Sequence, residues 1–271
     1  MPTFESNRYQ FHRLRHELSN YSLIRLRDCD GLLLSMHQSG THWLKFMLAS
    51  AMADHFAIPG PEFNHANDII GGSKDPVIYP QIPLLRSSHT VVPLLLRNQM
   101  AVNWLKLPPS IILVRDIRAS LVSNYIKWQA RYAVSFSEFL RGDPSGRRYN
   151  SDIWWCFRFL NGWSAIKMLS EPNVYLIRYE TLREDPEQVL TALARHLAIP
   201  LTNSSITLGI ECATKSAMQQ RADPARPPGE INHSNDDPLS VFNESDRSFF
   251  SSRCEYFLCD SFGYDYQQWN A

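Results

Sequence analysis

The sequence predicts an α/β protein: a single domain over residues 1–271 in which a parallel β-sheet is flanked by helices. Three observations carry that prediction. Apolar runs of strand length begin at Leu32, Ile111 and Val174, and each is followed by a polar turn and then by apolar residues at helical spacing. The run Ile111–Val114 is continuous and rich in β-branched residues, as a strand covered on both faces requires. Strands alternate with helices along the chain, which favours one covered sheet over two small domains.

The element around which the rest is organised is Leu32–Leu48, LLLSMHQSGTHWLKFML. Its apolar start reads as a buried strand, Ser39, Gly40 and Thr41 form a turn, and Trp43, Phe46, Met47 and Ala51 fall on one helix face. A strand–loop–helix of this kind leaves the first N–H groups of the helix unpaired and aims its dipole at the loop, so it makes an anion cradle. The lysine that follows the second glycine in ordinary ATP-binding loops is absent, because Thr41 follows Gly40 directly.

Composition narrows the functions. Lys+Arg and Asp+Glu are both 27, and this balance gives no reason to expect nucleic acid or an anionic membrane as partner. The five cysteines are scattered without metal-ligand spacing and read as reduced core thiols. The first twenty residues have no apolar leader segment, and no stretch is long enough to span a bilayer, so the expectation is a cytoplasmic protein with no membrane partner.

In chain order, Phe11, Leu14 and Leu18 at helical spacing predict a short helix packed on the outside of the domain. Residues 58–83, rich in Pro, Gly, Asn and Asp, predict a long loop near an acceptor pocket. Leu84 and Leu85 form a short strand that delivers Ser87, Ser88 and His89 to its end. Arg115 sits at the carboxyl end of the Ile111–Val114 strand, the edge at which open α/β sheets bind ligands, with Ser123 on the helix that follows. Helices are expected over Ser135–Leu140 and Ser151–Ser170, the latter with a core stripe of Trp155, Phe159 and Trp163. Val174–Arg178 reads as a strand followed by a turn and a helix from Pro186, capped by Asp185. Residues 222–240 form a second long loop, and Phe249, Phe250, Cys254, Phe257 and Leu258 lie on a last helix packed against the domain.

Several of these segments resemble the motifs of PAPS-dependent sulfotransferases of the cytosolic and bacterial small-molecule type, PAPS being 3'-phosphoadenosine 5'-phosphosulfate. The S-x-x-x-SGT-x-W run from Ser35 to Trp43 is similar to the 5'-phosphosulfate loop P-K-S-G-T-T-W, with Gln38 in place of the lysine and His37 in place of the proline. RSSH is similar to the K-T-H segment, with Ser87 where the lysine stands. Arg115 and Ser123, eight positions apart, match the 3'-phosphate motif R-[DN]-P-R-x-x-x-x-S, and RYETLREDP matches the Y-E-x-L-x-x-D-P segment. The closing R-K-G-x-x-G loop survives only as an echo in Arg221, Arg226 and Gly229.

The resemblance covers residues 31–265 and implies a sheet related to that of P-loop nucleotide kinases. It implies PAPS as donor with no metal, and a hydroxylated small molecule as acceptor. In it Ser39, Gly40 and Thr41, with Gln38 and His42 beside them, hold the phosphosulfate. Trp43 and Tyr179 contact adenine, while Arg115, Ser123 and Arg226 take the 3'-phosphate. His89 removes the acceptor's proton, a task suited to an imidazole, and 3',5'-ADP leaves. Gln38 stands where a cation would meet the charge that builds in transfer. A pocket without that lysine repels a cation less, so an alkaloid alcohol or another secondary metabolite becomes an admissible acceptor. The family's dimer motif is absent, which leaves the oligomeric state open. The rival readings are an ATP-dependent P-loop kinase, a catalytically impaired nucleotide binder favoured by Gln38, and, weakest, a metal hydrolase on His37, His42 and His89.

Overall fold

The structure is a computed structural model and describes residues 3–18, 20, 22–225 and 237–269. In chain order its elements are α1 (Thr3–Leu18), α2 (Ser22–Leu26), β1 (Gly31–Ser35), α3 (Thr41–His55), β2 (Ile70–Gly71), β3 (Leu85–Ser88) and α4 (Gln99–Leu105). There follow β4 (Ser110–Val114), α5 (Ile117–Tyr132), α6 (Phe136–Arg141), α7 (Ile153–Leu169), β5 (Val174–Arg178) and α8 (Tyr179–Glu184). The chain continues through α9 (Pro186–His196), α10 (Asn203–Cys212), α11 (Lys215–Gln220) and α12 (Glu244–Phe257).

The five strands form one sheet in the order β2-β3-β1-β4-β5, and every pairing is parallel. Alternation along the central strands divides their side chains between two apolar layers. Leu32, Leu34, Ile112 and Val114 face the layer built by α5, α7 and α12, while Leu33, Ile111 and Leu113 face α3, α9 and α10. Both faces are therefore covered, which is why β1 and β4 are buried along their whole length. On the second face α10 crosses α3 so closely that a Cβ at Gly209 would lie 2.5 Å from the Met47 carbonyl.

Parallel pairing puts the ends of β1, β3, β4 and β5 on one edge. β3 lies on one side of β1 and β4 on the other, so the segments leaving β1 and β4 diverge and open a crevice at that edge. Arg115, Tyr179, His89 and the loop after Ser35 all emerge there.

Several expectations are corrected. The N-terminal helix forms, but Phe11, Leu14 and Leu18 are 65%, 49% and 44% exposed, and among its described side chains those buried are Tyr9 and Glu17. An ion pair and hydrogen bonds dock this helix, so apolar spacing alone picked the wrong face. Within 58–83, Ile70–Gly71 adds an edge strand, and Asn64 and His65 bond to Met218, Arg221 and Asp223, so this segment packs on the region after α10. The turn expected after β5 is the short helix α8. All five cysteines are free, yet Cys212 and Cys259 are exposed and so are not core thiols. Among the described residues no helix is long and apolar enough to cross a membrane.

Candidate active site

The cradle forms where β1 gives way to α3. Gln38 and Gly40 take left-handed backbone conformations, φ 60° and 86°, and Ser39, fully buried, donates its hydroxyl to the Met36 carbonyl at 2.7 Å. A left-handed glutamine costs about 1 kcal/mol or more, so the loop holds Gln38 there by its other bonds. Gly40 is also the N-cap of α3, and no side chain caps that helix. A Cβ on Gly40 would lie 2.7 Å from the Tyr179 ring, so the close approach demands glycine. The first turn of α3 thus presents N–H groups and a positive dipole end to the crevice.

Four predicted residues converge on this loop. Arg115 Nη1 donates to the Gln38 carbonyl at 2.9 Å, and its guanidinium lies 4.5 Å over the Tyr179 ring. The Ser123 hydroxyl donates to Gln38 Oε1 at 3.5 Å, a long bond that an anion between the two would replace. Trp43 and Tyr179 meet edge to face at 6.4 Å, and Trp43 Nε1 donates to the Ala213 carbonyl at 3.1 Å. Arg115 and Ser123 therefore reach the same residue, as an anion-closing pair should. His42 is exposed on the first turn of α3, and Arg226, with Gly229, lies outside the described residues.

Sequence reasoning gave no role to the residue that joins the cradle to the histidine. Ser35, at the end of β1, accepts from the Thr41 hydroxyl at 2.8 Å, and its Oγ is 3.2 Å from His89 Nδ1. The Ser35 carbonyl is closer, 2.8 Å from the same nitrogen. A carbonyl only accepts, so Nδ1 carries the proton and Nε2 keeps a free lone pair. The sequence signal was a polar residue ending an otherwise apolar central strand.

Trp155 and Phe159 of the expected core stripe form, with His37, an aromatic wall beside His89. His37 stacks on the His89 ring at 4.1 Å and meets Trp155 at 4.6 Å, and Trp155 stacks on Phe159 at 5.1 Å. Burial first, with help from His89 and Lys127, pushes the His37 pKa down to about 3. Burial also lowers His89, which Lys45 and Lys127 reinforce and the Ser35 carbonyl opposes. Both rings are neutral at physiological pH, and His89 is in the form a base needs. Among the described residues no cluster of three or more His, Cys, Asp or Glu has metal-ligating geometry.

An uncapped helix end, an arginine–serine pair facing it and a neutral imidazole on the adjoining strand meet at one sheet edge, an arrangement suited to an anion beside a proton acceptor. Residues 28–236 match the family model of the sulfotransferase domain, and the chain belongs to that family. No curated protein sequence gives a significant match. Among solved structures the chain is similar to the mouse sulfotransferase SULT7A1 complexed with PAP, at 17% identity, TM-score 0.61 and coverage of 94% of this chain and 91% of that one. It is also similar to a retinol dehydratase in complex with retinol and PAP, at 14% identity, TM-score 0.55 and coverage of 93% and 88%. The same enzyme with androsterone and PAP gives 15% identity, TM-score 0.53 and coverage of 94% and 86%.

Proposed function

We propose that the protein transfers the sulfuryl group of PAPS to a hydroxyl of a small-molecule acceptor. The observation that carries this reading is the short path Thr41–Ser35–His89, two hydrogen-bond steps that link a glycine-opened helix N-terminus to a neutral imidazole. The residues present fit the donor. The helix end is uncapped, a Cβ at Gly40 would run into the Tyr179 ring beside it, and Arg115 keeps its buried Nε without a partner.

PAPS supplies an activated sulfuryl group whose bond to the 5'-phosphate oxygen is the one broken. The N–H groups of Thr41 and its neighbours then face the negative charge that gathers on that oxygen, without having to reorganise. His89 Nε2 takes the acceptor's proton as the acceptor oxygen bonds to sulfur, and the Ser35 carbonyl holds the Nδ1–H side as the ring becomes charged. Arg115 and Ser123 bind the 3'-phosphate, and Trp43 and Tyr179 lie beside the purine.

The wall of His37, Trp155 and Phe159 favours a flat, largely apolar alcohol or phenol, the class to which the retinol and androsterone of the structural neighbours belong. Lys127 and Lys45 add positive potential at His89, which disfavours the cationic alcohol that Gln38 alone would admit. Gln38 also supports a second reading, a nucleotide-binding protein of low turnover.

Thermal unfolding with 3',5'-ADP, PAPS, AMP or ATP plus Mg²⁺ tests the donor. A ligand at a hundredfold excess over Kd stabilises by about 2.7 kcal/mol. Stabilisation by 3',5'-ADP and PAPS but not by AMP supports the reading, and stabilisation by ATP plus Mg²⁺ alone overturns it. Binding of PAPS without transfer to any of a panel of phenols and alcohols would favour the low-turnover binder.

A further inference from the structure

Three consecutive backbone carbonyls follow His89, and each accepts from a side chain of a different part of the chain. Trp163 Nε1 on α7 donates to the Thr90 carbonyl at 2.9 Å. Asn20 Nδ2, between α1 and α2, donates to the Val91 carbonyl at 2.8 Å. Arg97 donates twice to the Val92 carbonyl, Nε at 3.1 Å and Nη2 at 2.7 Å.

The donors are themselves fixed. Asn20 Oδ1 accepts from the Ser22 N–H at 3.1 Å and from its hydroxyl at 2.6 Å, which settles the orientation of the amide. The same Nδ2 lies 3.3 Å from the Thr90 hydroxyl, which also bonds to the Ser22 hydroxyl. Arg97 Nη2 is 3.1 Å from Glu17 on α1, and Arg13 holds the other carboxylate oxygen at 3.2 Å. Glu17 is 3% exposed, a burial that carboxylates tolerate when paired. Behind the segment, a Cβ on Gly162 would lie 3.0 Å from Val92 Cβ and 3.2 Å from Arg97 Nη2, so α7 closes on it directly.

We propose that Asn20, with the Arg97–Glu17 pair behind it, is a positioning residue for His89, and that the N-terminal helix is thereby part of the catalytic apparatus. This rests on the reading of His89 as the base. The His89 side chain is anchored at Nδ1 by Ser35, so the aim of Nε2 depends on where the chain on either side is held. β3 holds one side, and the three side chains hold the other. Displacements of about 1 Å in a reacting group cost on the order of a hundredfold in rate, so loss of one holder reads out in turnover.

Asn20→Ala and the near-isosteric Asn20→Asp, which sets an oxygen against the Val91 carbonyl, test the proposal by two readouts. One is the imidazole ¹⁵N spectrum of His89, assigned with His89→Gln, and the other is kcat and KM at saturating acceptor. Expected are a single Nδ1–H tautomer in the unsubstituted protein, a tautomer mixture in both variants, and a fall in kcat of about tenfold or more with KM for PAPS unchanged. Glu17→Gln moves both readouts in the same direction by less. An unchanged tautomer and kcat together with a lowered thermal midpoint would mean that Asn20 only stabilises the fold, and would overturn the proposal. If Asn20→Ala does not fold, Asn20→Asp carries the test. If the unsubstituted protein transfers no sulfuryl group, the proposed function falls, while the imidazole spectrum still decides the positioning role.

Discussion

The cradle from Ser35 to Thr41 and the segment from His89 to Val92 lie at neighbouring strand ends, yet they are fixed by different means. In the cradle the loop's own side chains bond locally, Ser39 to Met36 three residues back and Thr41 to Ser35 six back, and Arg115 and Ser123 add contacts to Gln38 from 77 and 85 residues away. The His89 segment is held across sequence separations of 71 residues to Asn20 and 73 to Trp163. A loop whose turn is closed by its own side chains keeps most of its shape wherever its strand and helix are formed. A segment held by remote side chains takes its geometry from the packing of the whole layer. Damage to the first is therefore expected in ligand binding, and damage to the second in turnover.

The sharpest break in this comparison is His89→Gln, which removes the proposed base while leaving the cradle whole. Turnover falls by about 10²–10⁴, and the thermal shift caused by 3',5'-ADP stays as it was. Gly40→Ala does the reverse. Its Cβ meets the Tyr179 ring, and affinity for 3',5'-ADP measured by calorimetry falls about a hundredfold, with any remaining turnover keeping its pH profile. Arg115→Met costs a charge-assisted contact of about 1.5–3 kcal/mol, so the Kd of 3',5'-ADP rises about 10- to 100-fold while that of AMP barely moves.

Gln38→Lys tests whether the cradle lacks a cation. An increase in turnover of up to about tenfold on a neutral phenol is expected, and a decrease would show that the loop is tuned to the amide bond with Ser123. The last test is in pH. With the His37 pKa near 3, against 6.5 for an unperturbed histidine, the unfolded chain binds more protons than the native one between those values. The stabilisation is fully present above about pH 6.5 and is lost as pH falls, with a slope of at most about 1.4 kcal/mol per pH unit. His37→Phe should flatten that part of a plot of thermal midpoint against pH.

The legible parts of the site were those whose geometry is a property of a few adjacent residues. Strand, glycine turn and helix can be read from LLLSMHQSGTHWLKFML because burial period and a left-handed turn leave marks in composition. Arg115 could be placed because the end of a buried parallel strand is a fixed address in such folds. Ser35 and His37 lay within the motif, yet their contacts could not be read from it, because what matters in them is a carbonyl on His89 and a ring stacked against it. The N-terminal helix misled for a related reason. The spacing of Phe11, Leu14 and Leu18 is genuine, but the face that docks is chosen by Glu17 and its arginine partners.

By itself the sequence determined the order and kind of the main elements, the strand–glycine turn–helix of the cradle and the position of His89 at a strand end, because periodicity, turn chemistry and short motifs act over a few residues. Only the tertiary structure decided which proton His89 carries, that Arg115 and Ser123 meet at Gln38, and that the segment after His89 is gripped from α1, α7 and Arg97. Those are distances between side chains far apart in the chain, set by how helices pack on the two faces of the sheet, and no local pattern of residue types encodes them.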